Sequence, residues 1–261
     1  MSEPTGKLSI VATPIGNRED ITLRALRTLR EADVIAAEDT RHTGQLLAHY
    51  DIRKPLVSYH EFNEARRTPE ILERLRAGQR VALVTDAGMP TVSDPGLRLI
   101  RAILEVASVG QALVACGAAC GRSTSSLSVP DQRATKMVAP PEIEVIPGPS
   151  AVTAALAGSG SQADRFLFYG FLPHKSGQRR KALLALAPLP YALVFFESPY
   201  RLLRALGDIE EILGNRQMVV ARELTKKFEE FIRGDLASVR KRLEPRTIKG
   251  EITLIIEAPN Q

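Results

Sequence analysis

The chain has 261 residues, 44% of them hydrophobic and 25% charged, with a formal net charge of +5 and an isoelectric point near 9.4. Such a composition belongs to an ordinary globular protein, long enough for one large or two medium domains; no apolar run approaches a membrane span and the N-terminus lacks a signal-peptide pattern. The basic balance points to an anionic partner without identifying it, while Cys116 and Cys120 suit neither a disulfide framework nor a zinc half-site, so a reducing cytoplasm and no metal are expected.

The chain opens with Leu8 to Ala12, a short apolar strand broken at once by Thr13-Pro14-Ile15-Gly16-Asn17. A helix over Leu23 to Ala32 follows, its apolar stripe formed by Leu23, Leu26 and Leu29. Arg24, Arg27 and Arg30 occupy the other side, as a solvated face or a phosphate track. Asp33 to Ala37 reads as the second strand and ends in Glu38-Asp39-Thr40-Arg41-His42, two adjacent carboxylates beside an arginine. Asp39 or Thr40 could equally cap the helix Arg41 to Tyr50. Leu56 to Tyr59 is a third strand, with His60 at its end expected to face a cleft, and the helix Glu64 to Ala77 closes at Gly78.

Val81 to Thr85 is the fourth strand, and its continuation through Asp86, Gly88, Met89, Pro90, Ser93, Asp94, Pro95 and Gly96 is too rich in proline and glycine for any regular element. Loops at the carboxyl ends of strands are where open α/β sheets bind ligands. Asp94 and Pro95 look like the N-cap and first turn of a helix over Gly96 to Glu105. The alternation predicts a parallel sheet with helices on both faces. It fails over residues 106–141, apart from a possible helical turn at 112–119, which reads as a disordered insertion, a lid, or sequence foreign to the ancestral gene.

It resumes with a strand from Ile143 and a helix Ser150 to Ala157 capped by Ser150. The second half continues with a strand Arg165 to Tyr169, a turn Gly170 to Pro173, and the densest basic run, His174 to Lys181, which includes Lys175, Arg179, Arg180 and Lys181. Cations at a helix start oppose the dipole, so an external anion or plain solvation is expected there. Further strands run Ala192 to Phe196, Met218 to Ala221 and Ile252 to Ile256, with helices ending at Leu213 and spanning Leu236 to Leu243. Two α/β domains, 1–160 and 161–261, are expected to meet near Gly158 to Asp164.

Neither a dinucleotide-binding GxGxxG after the first strand nor a P-loop, GxSxG elbow or HExxH is present. The strand-end loops offer backbone amides, Asp86, Asp94 and an apolar edge from Met89, which suit a ligand with a ribose, a base and a charged amino-acid end.

Several blocks in this order carry a resemblance: TPIGN (13–17), AEDTRHT (37–43), SYHEFNE (58–64), TDAGMPTVSDPG (85–96), IPGPSAV (146–152), GFLPHKSGQRRK (170–181), FESPYR (196–201), ARELTK (221–226) and KGEI (249–252). Together they resemble the bacterial 16S rRNA (cytidine-2′-O)-methyltransferases, a branch of the tetrapyrrole methylase superfamily. The resemblance implies a two-domain tetrapyrrole-methylase-like α/β fold (class III methyltransferase) with S-adenosylmethionine in a cleft between the domains, and a homodimer. It implies a ribose 2′-hydroxyl of 16S rRNA in the 30S subunit as substrate. Carried over by motif, Pro14, Gly16, Asp86, Gly88, Met89, Pro90, Ser93, Asp94, Pro147, Gly148, Ser150, Ala151, Ser198, Ala221 and Thr225 would line the cofactor site. Members of the family often continue past the last strand with a small basic region, so a chain ending at Gln261 is expected to hold RNA less tightly.

Methyl transfer from a sulfonium needs in-line placement and a group that lowers the barrier to deprotonating the hydroxyl. Glu38, Asp39, Glu223 and Lys226 are the candidates by their positions at strand ends, and Arg41, His60, Lys175, Arg179, Arg180 and Lys181 are candidates for holding RNA backbone. The bland alternative for Arg222, Glu223 and Lys226 is a salt bridge between domains. Rival readings are a precorrin-type tetrapyrrole methyltransferase and a catalytically impaired RNA-binding homologue.

Overall fold

The computed structural model describes residues 6–106, 139–161 and 163–259. The 106–141 insertion, with Cys116, Cys120 and the turn at 112–119, lies almost wholly outside the described residues.

The chain divides into two compact units, the first formed by residues 1–13 and 21–148. Its sheet contains β1 (Lys7–Val11), β2 (Val34–Ala37), β3 (Leu56–Ser58), β4 (Arg80–Val84) and β5 (Glu142–Ile146), in the order β3-β2-β4-β1-β5. Every pairing is parallel, as the alternation predicts. The helices are α1 (Leu23–Glu31), α2 (Thr40–His49), α3 (Glu64–Arg76) and α4 (97–106). A strand's side chains alternate between faces, and here both faces are covered: Val81 and Leu83 of β4 join one buried cluster with Ile71, Leu75, Leu99 and Ile103. Ala82 and Val84 join the other, with Ala25, Leu29 and Leu47. Burial on both sides is why these strands read as unbroken apolar runs. Thr22 caps α1 by accepting the Ala25 amide at 3.0 Å, and Asp39 caps α2 by accepting the amides of Arg41 at 2.8 Å and His42 at 3.4 Å.

The second unit comprises Pro14–Asp20 and Pro149–Gln261. Its sheet holds β6 (Phe166–Phe171), β7 (Ala192–Glu197), β8 (Gln217–Arg222), β9 (Glu230–Asp235) and β10 (Ile252–Ile256), in the order β6-β7-β10-β8-β9. Only β6 and β7 pair in parallel; β10 runs antiparallel to β7 and β8, and β9 antiparallel to β8. The helices are α5 (Ala151–Ser159), α6 (Ser176–Leu186), α7 (Leu202–Leu213) and α8 (Leu236–Leu243).

Four expectations are corrected. The strand β9 lies outside the pattern read from the sequence: it is an edge strand carrying Glu230, Arg233 and Asp235, and charged edges conceal the apolar alternation that marks a strand. Gly170 and Phe171 belong to β6 rather than to a turn, with the register shifting between Phe168 and Gly170 as at a bulge. The helix after the 85–96 loop begins beyond Gly96, so Asp94 is not its cap. The division falls at Pro149 rather than near 158–164, because Val152 and Ala155 of α5 pack with Val194, Val219 and Ile255 of the second sheet.

Within this second unit, Arg179 of α6 is buried and forms an ion pair with Asp208 of α7, its Nε donating to Oδ2 at 2.7 Å. Its Nη1 donates to the carbonyls of Pro173 and His174 at 3.3 and 3.2 Å, tying the chain entering α6 to the same group. Removing one partner of such a pair leaves an uncompensated buried charge. Arg179→Ala is therefore expected to lower unfolding free energy by about 3 kcal/mol, read by chemical denaturation, with Arg180→Ala costing far less.

Candidate active site

In the first unit, parallel pairing brings the carboxyl ends of β1, β2 and β4 to one edge. There the chain leaving β1 forms a two-way backbone bridge with the loop after β4, Thr13 N–H donating to Gly88 C=O at 2.9 Å and Gly88 N–H to Thr13 C=O at 3.1 Å. The Thr13 hydroxyl, buried, donates to the Thr85 carbonyl at 3.1 Å. A second link joins the loops after β2 and β4: the Asp39 amide donates to Asp86 Oδ1 at 3.2 Å, and the Asp86 amide to Glu38 Oε2 at 3.4 Å. The loop itself is strained, with Thr91 and Ser93 both left-handed at φ 74° and 67°. Such conformations cost of order 1–3 kcal/mol each and persist only where surrounding contacts impose them.

Glu38, Asp86 and Asp94 thus crowd one corner. Burial, reinforced by Asp86, raises the Glu38 carboxyl above the usual range. Burial together with Glu38 and Asp86 pushes Asp94 up to about 7. Asp39 behaves in the opposite way: the Arg41 guanidinium, at 3.1 Å, and the amides it caps hold its carboxyl down to about 2. A carboxylate so firmly ionised is a weak proton acceptor, and Asp39 serves as the cap of α2, whereas the carboxyls of Glu38 and Asp94 are raised. His60, half-buried beyond β3, contributes a ring nitrogen, Nδ1, that is enclosed and has no hydrogen-bond partner among the described residues. Met89 packs against the Leu83 cluster, and Pro147 and Gly148 follow β5 at the same edge.

Among the described residues no three His, Cys, Asp or Glu side chains are placed to hold a metal ion. A set of crowded carboxylates fits a cationic organic ligand, whose charge relieves their mutual repulsion.

In the second unit, Glu223 and Lys226 lie in the loop after β8. Lys226 Nζ sits 3.1 Å from Glu223 Oε1 and 2.9 Å from Glu251 Oε2, and Glu223 Oε1 also accepts the Glu251 amide at 3.0 Å. Although burial opposes both, these partners lower the Glu223 carboxyl and raise the Lys226 ammonium. Each is locked in its charged form, so neither is a ready base, and the salt bridges of Arg222, Glu223 and Lys226 are internal to this unit rather than bonds between domains. Glu223 and Thr225 are left-handed, at φ 52° and 64°. Gly250 explains the tight fit: a Cβ there would stand 2.3 Å from Glu223 Cδ. Pro14 and Gly16 lie beside this loop, where the Asn17 amide donates to Thr225 Oγ1 at 2.9 Å. Ala221 is buried near the end of β8, Ser150 precedes α5 with Ala151 as its first residue, and Ser198 donates its amide to Glu197 at 2.7 Å.

Of the residues expected to hold RNA, Arg179 is corrected: its guanidinium is buried and saturated by Asp208 and two carbonyls. Arg180 is held by Glu211 and Asp208. Arg41, Lys175 and Lys181 are exposed.

The chain matches the family model for tetrapyrrole (corrin/porphyrin) methylases over residues 7–135 and 132–240. It is 44% identical to ribosomal RNA small subunit methyltransferase I of Thermotoga maritima, covering 96% of this chain and 98% of that one. It is also 44% identical to the protein of the same name from Halalkalibacterium halodurans, over 97% of this chain and 76% of the relative. Among solved structures, the methyltransferase CobJ superposes with a TM-score of 0.62 at 19% identity, over 97% and 95% of the two chains. A uroporphyrin-III C-methyltransferase from Thermus thermophilus, complexed with S-adenosylhomocysteine, gives 0.57 at 18% identity, over 96% and 97%. The fold, the matched family model and the full-length likeness agree: this chain belongs to the ribosomal RNA small subunit methyltransferase I family of the tetrapyrrole methylases.

Proposed function

We propose that this protein methylates the 2′-hydroxyl of a cytidine ribose in the decoding region of 16S rRNA, with S-adenosylmethionine as donor, acting in the cytoplasm as a homodimer on the 30S particle. The observation that carries the reading, in a chain of this family, is the carboxylate corner of Glu38, Asp86 and Asp94 at the strand ends of the first unit. When bound, the donor supplies a methyl group on a positively charged sulfur that needs no further activation. Asp86 and Asp94 would hold its cationic and hydroxyl groups, with the Gly88, Pro90 and Gly148 backbone and the Met89 side chain at its apolar parts.

The remaining work belongs to the protein. The ribose oxygen gains the methyl group and loses its proton, and Glu38 is the acceptor of that proton at a carboxylate oxygen, since its raised pKa brings it closer to the hydroxyl's than an ordinary glutamate's. Asp39 stays ionised, fixing the first turn of α2 and orienting Arg41, which is exposed for a phosphate contact. Lys175 and Lys181 add cations without internal partners among the described residues.

Transfer of tritium from labelled S-adenosylmethionine to 30S subunits lacking 2′-O-methylation tests the reading. Transfer to a cytidine ribose establishes it; transfer only to a tetrapyrrole acceptor would replace it with the precorrin-type activity. Glu38→Gln is expected to lower kcat by about 10²–10⁴-fold with little change in KM, whereas loss of cofactor binding in that variant would assign Glu38 to the donor instead.

The protonation of Asp94 yields a further expectation. Its folded pKa of about 7 lies above the ordinary aspartate value of 3.8, so the folded state binds more protons between those limits. Ligand-free stability contributed by this group is therefore full below pH 4 and declines as pH rises towards 7, by up to about 4 kcal/mol. A cationic ligand selects ionised Asp94, so S-adenosylmethionine affinity should rise with pH across the same window. Asp94→Asn should flatten both profiles in denaturant titrations and calorimetry; unchanged slopes would remove Asp94 from the site.

A further inference from the structure

A cavity of about 230 Å³ opens in the second unit between the loop after β8 and the segment joining α8 to β10. Its walls include Arg222, Phe228, Arg246, Thr247, Ile248 and Lys249. The charges there do not cancel. Arg222 and Arg246 share one carboxylate, Glu230: Arg222 Nη2 lies 3.2 Å from Oε2, and Arg246 donates to Oε1 at 2.9 Å and Oε2 at 2.7 Å. Arg222 Nη1 also donates to the Lys249 carbonyl at 3.1 Å, which holds that segment against the sheet. The Lys249 ammonium has no ionic partner among the described residues, and the Thr247 hydroxyl no hydrogen bond. Three cations facing one carboxylate leave the cavity net positive, with unspent donors on Lys249 and Thr247.

The other wall is aromatic. Phe228 is 64% exposed, and Lys227 Nζ lies over its ring, 5.7 Å from the centroid. A flat exposed ring beside unspent cations is the arrangement by which proteins take single-stranded nucleic acid, the base stacking and the phosphate neutralised. A small anion would use the cations and leave the ring idle; an apolar ligand would leave the charges unmatched.

We propose that this cavity is an RNA-docking pocket for one unpaired nucleotide of the substrate, its base stacked on Phe228 and its phosphate held by Lys249, Thr247 and the outer face of Arg246. The proposal rests on the rRNA reading above and names a contact separate from the carboxylate corner. Arg222 positions the pocket rather than touching its occupant.

The test uses the full chain with a fluorescein-labelled single-stranded RNA oligonucleotide, S-adenosylmethionine calorimetry as control, and thermal unfolding to confirm folding. Both side chains are exposed, so the variants are expected to fold. Phe228→Ala should weaken RNA binding at least tenfold, Phe228→Tyr should restore it, and Lys249→Gln should reduce the slope of log K against log salt by about 1, with cofactor affinity unchanged. RNA affinity and salt slope unchanged in Phe228→Ala and Lys249→Gln, while the unaltered chain binds RNA, would overturn the pocket and leave the rRNA reading standing. An unaltered chain that binds S-adenosylmethionine but neither RNA nor 30S subunits would overturn both. Inorganic phosphate binding that depends on Lys249, with RNA binding unaffected, would make the cavity a small-anion site and likewise overturn the proposal.

Discussion

Parallel pairing in the first unit constrains everything chemical about it. Strands that run the same way deliver their carboxyl ends to one edge, and the backbone groups beyond those ends must find partners outside the ladder. Thr13 and Gly88 solve this by bridging each other, and Glu38, Asp39 and Asp86 by exchanging amide-to-carboxylate bonds across the loops. The same bonds that satisfy the backbone gather acidic side chains, and burial, reinforced by their crowding, then raises Glu38 and Asp94. Structural necessity and chemical capacity here have one origin.

Neighbouring carboxylates can be driven in opposite directions by local donors. Asp39 adjoins Glu38 in sequence, yet its oxygens meet a guanidinium and helix amides, whereas Glu38 meets burial and another acid. The second unit uses the reverse strategy, pairing Glu223, Lys226 and Glu251 into a closed network with each charge spent on another. One edge keeps its carboxyls raised and the other spends its charges on shape.

Much of this was legible in the sequence because it is written in local periodicity. The helix Leu236–Leu243 and the strand Ile252–Ile256 end where the apolar pattern ends, and the doubly buried strands of the first sheet announce themselves as continuous apolar runs. What could not be read is partner choice over distance. Nothing in HKSGQRRK distinguishes Arg179 from Arg180; the difference is Asp208, 29 residues away, aligned with one and at the margin of the other. Asp94 followed by proline looks like a cap, and only the left-handed turns at Thr91 and Ser93 deflect the chain so that the helix starts later. The pocket beside Phe228 joins residues from separate segments, so no spacing rule could disclose it.

The membership of Pro14–Asp20 in the second unit has a consequence for how the chain can be taken apart. Ile15 fills a cluster with Val152, Val219 and Leu224, and Asn17 reaches Thr225 across 208 positions of sequence. The second unit is therefore not a contiguous module that could be excised from Pro149 onward: such a fragment would carry a hole where Ile15 belongs. A contact of that sequence separation also closes late and at an entropic cost. During synthesis, Asn17 must wait for a partner made 208 positions later before its surroundings are complete.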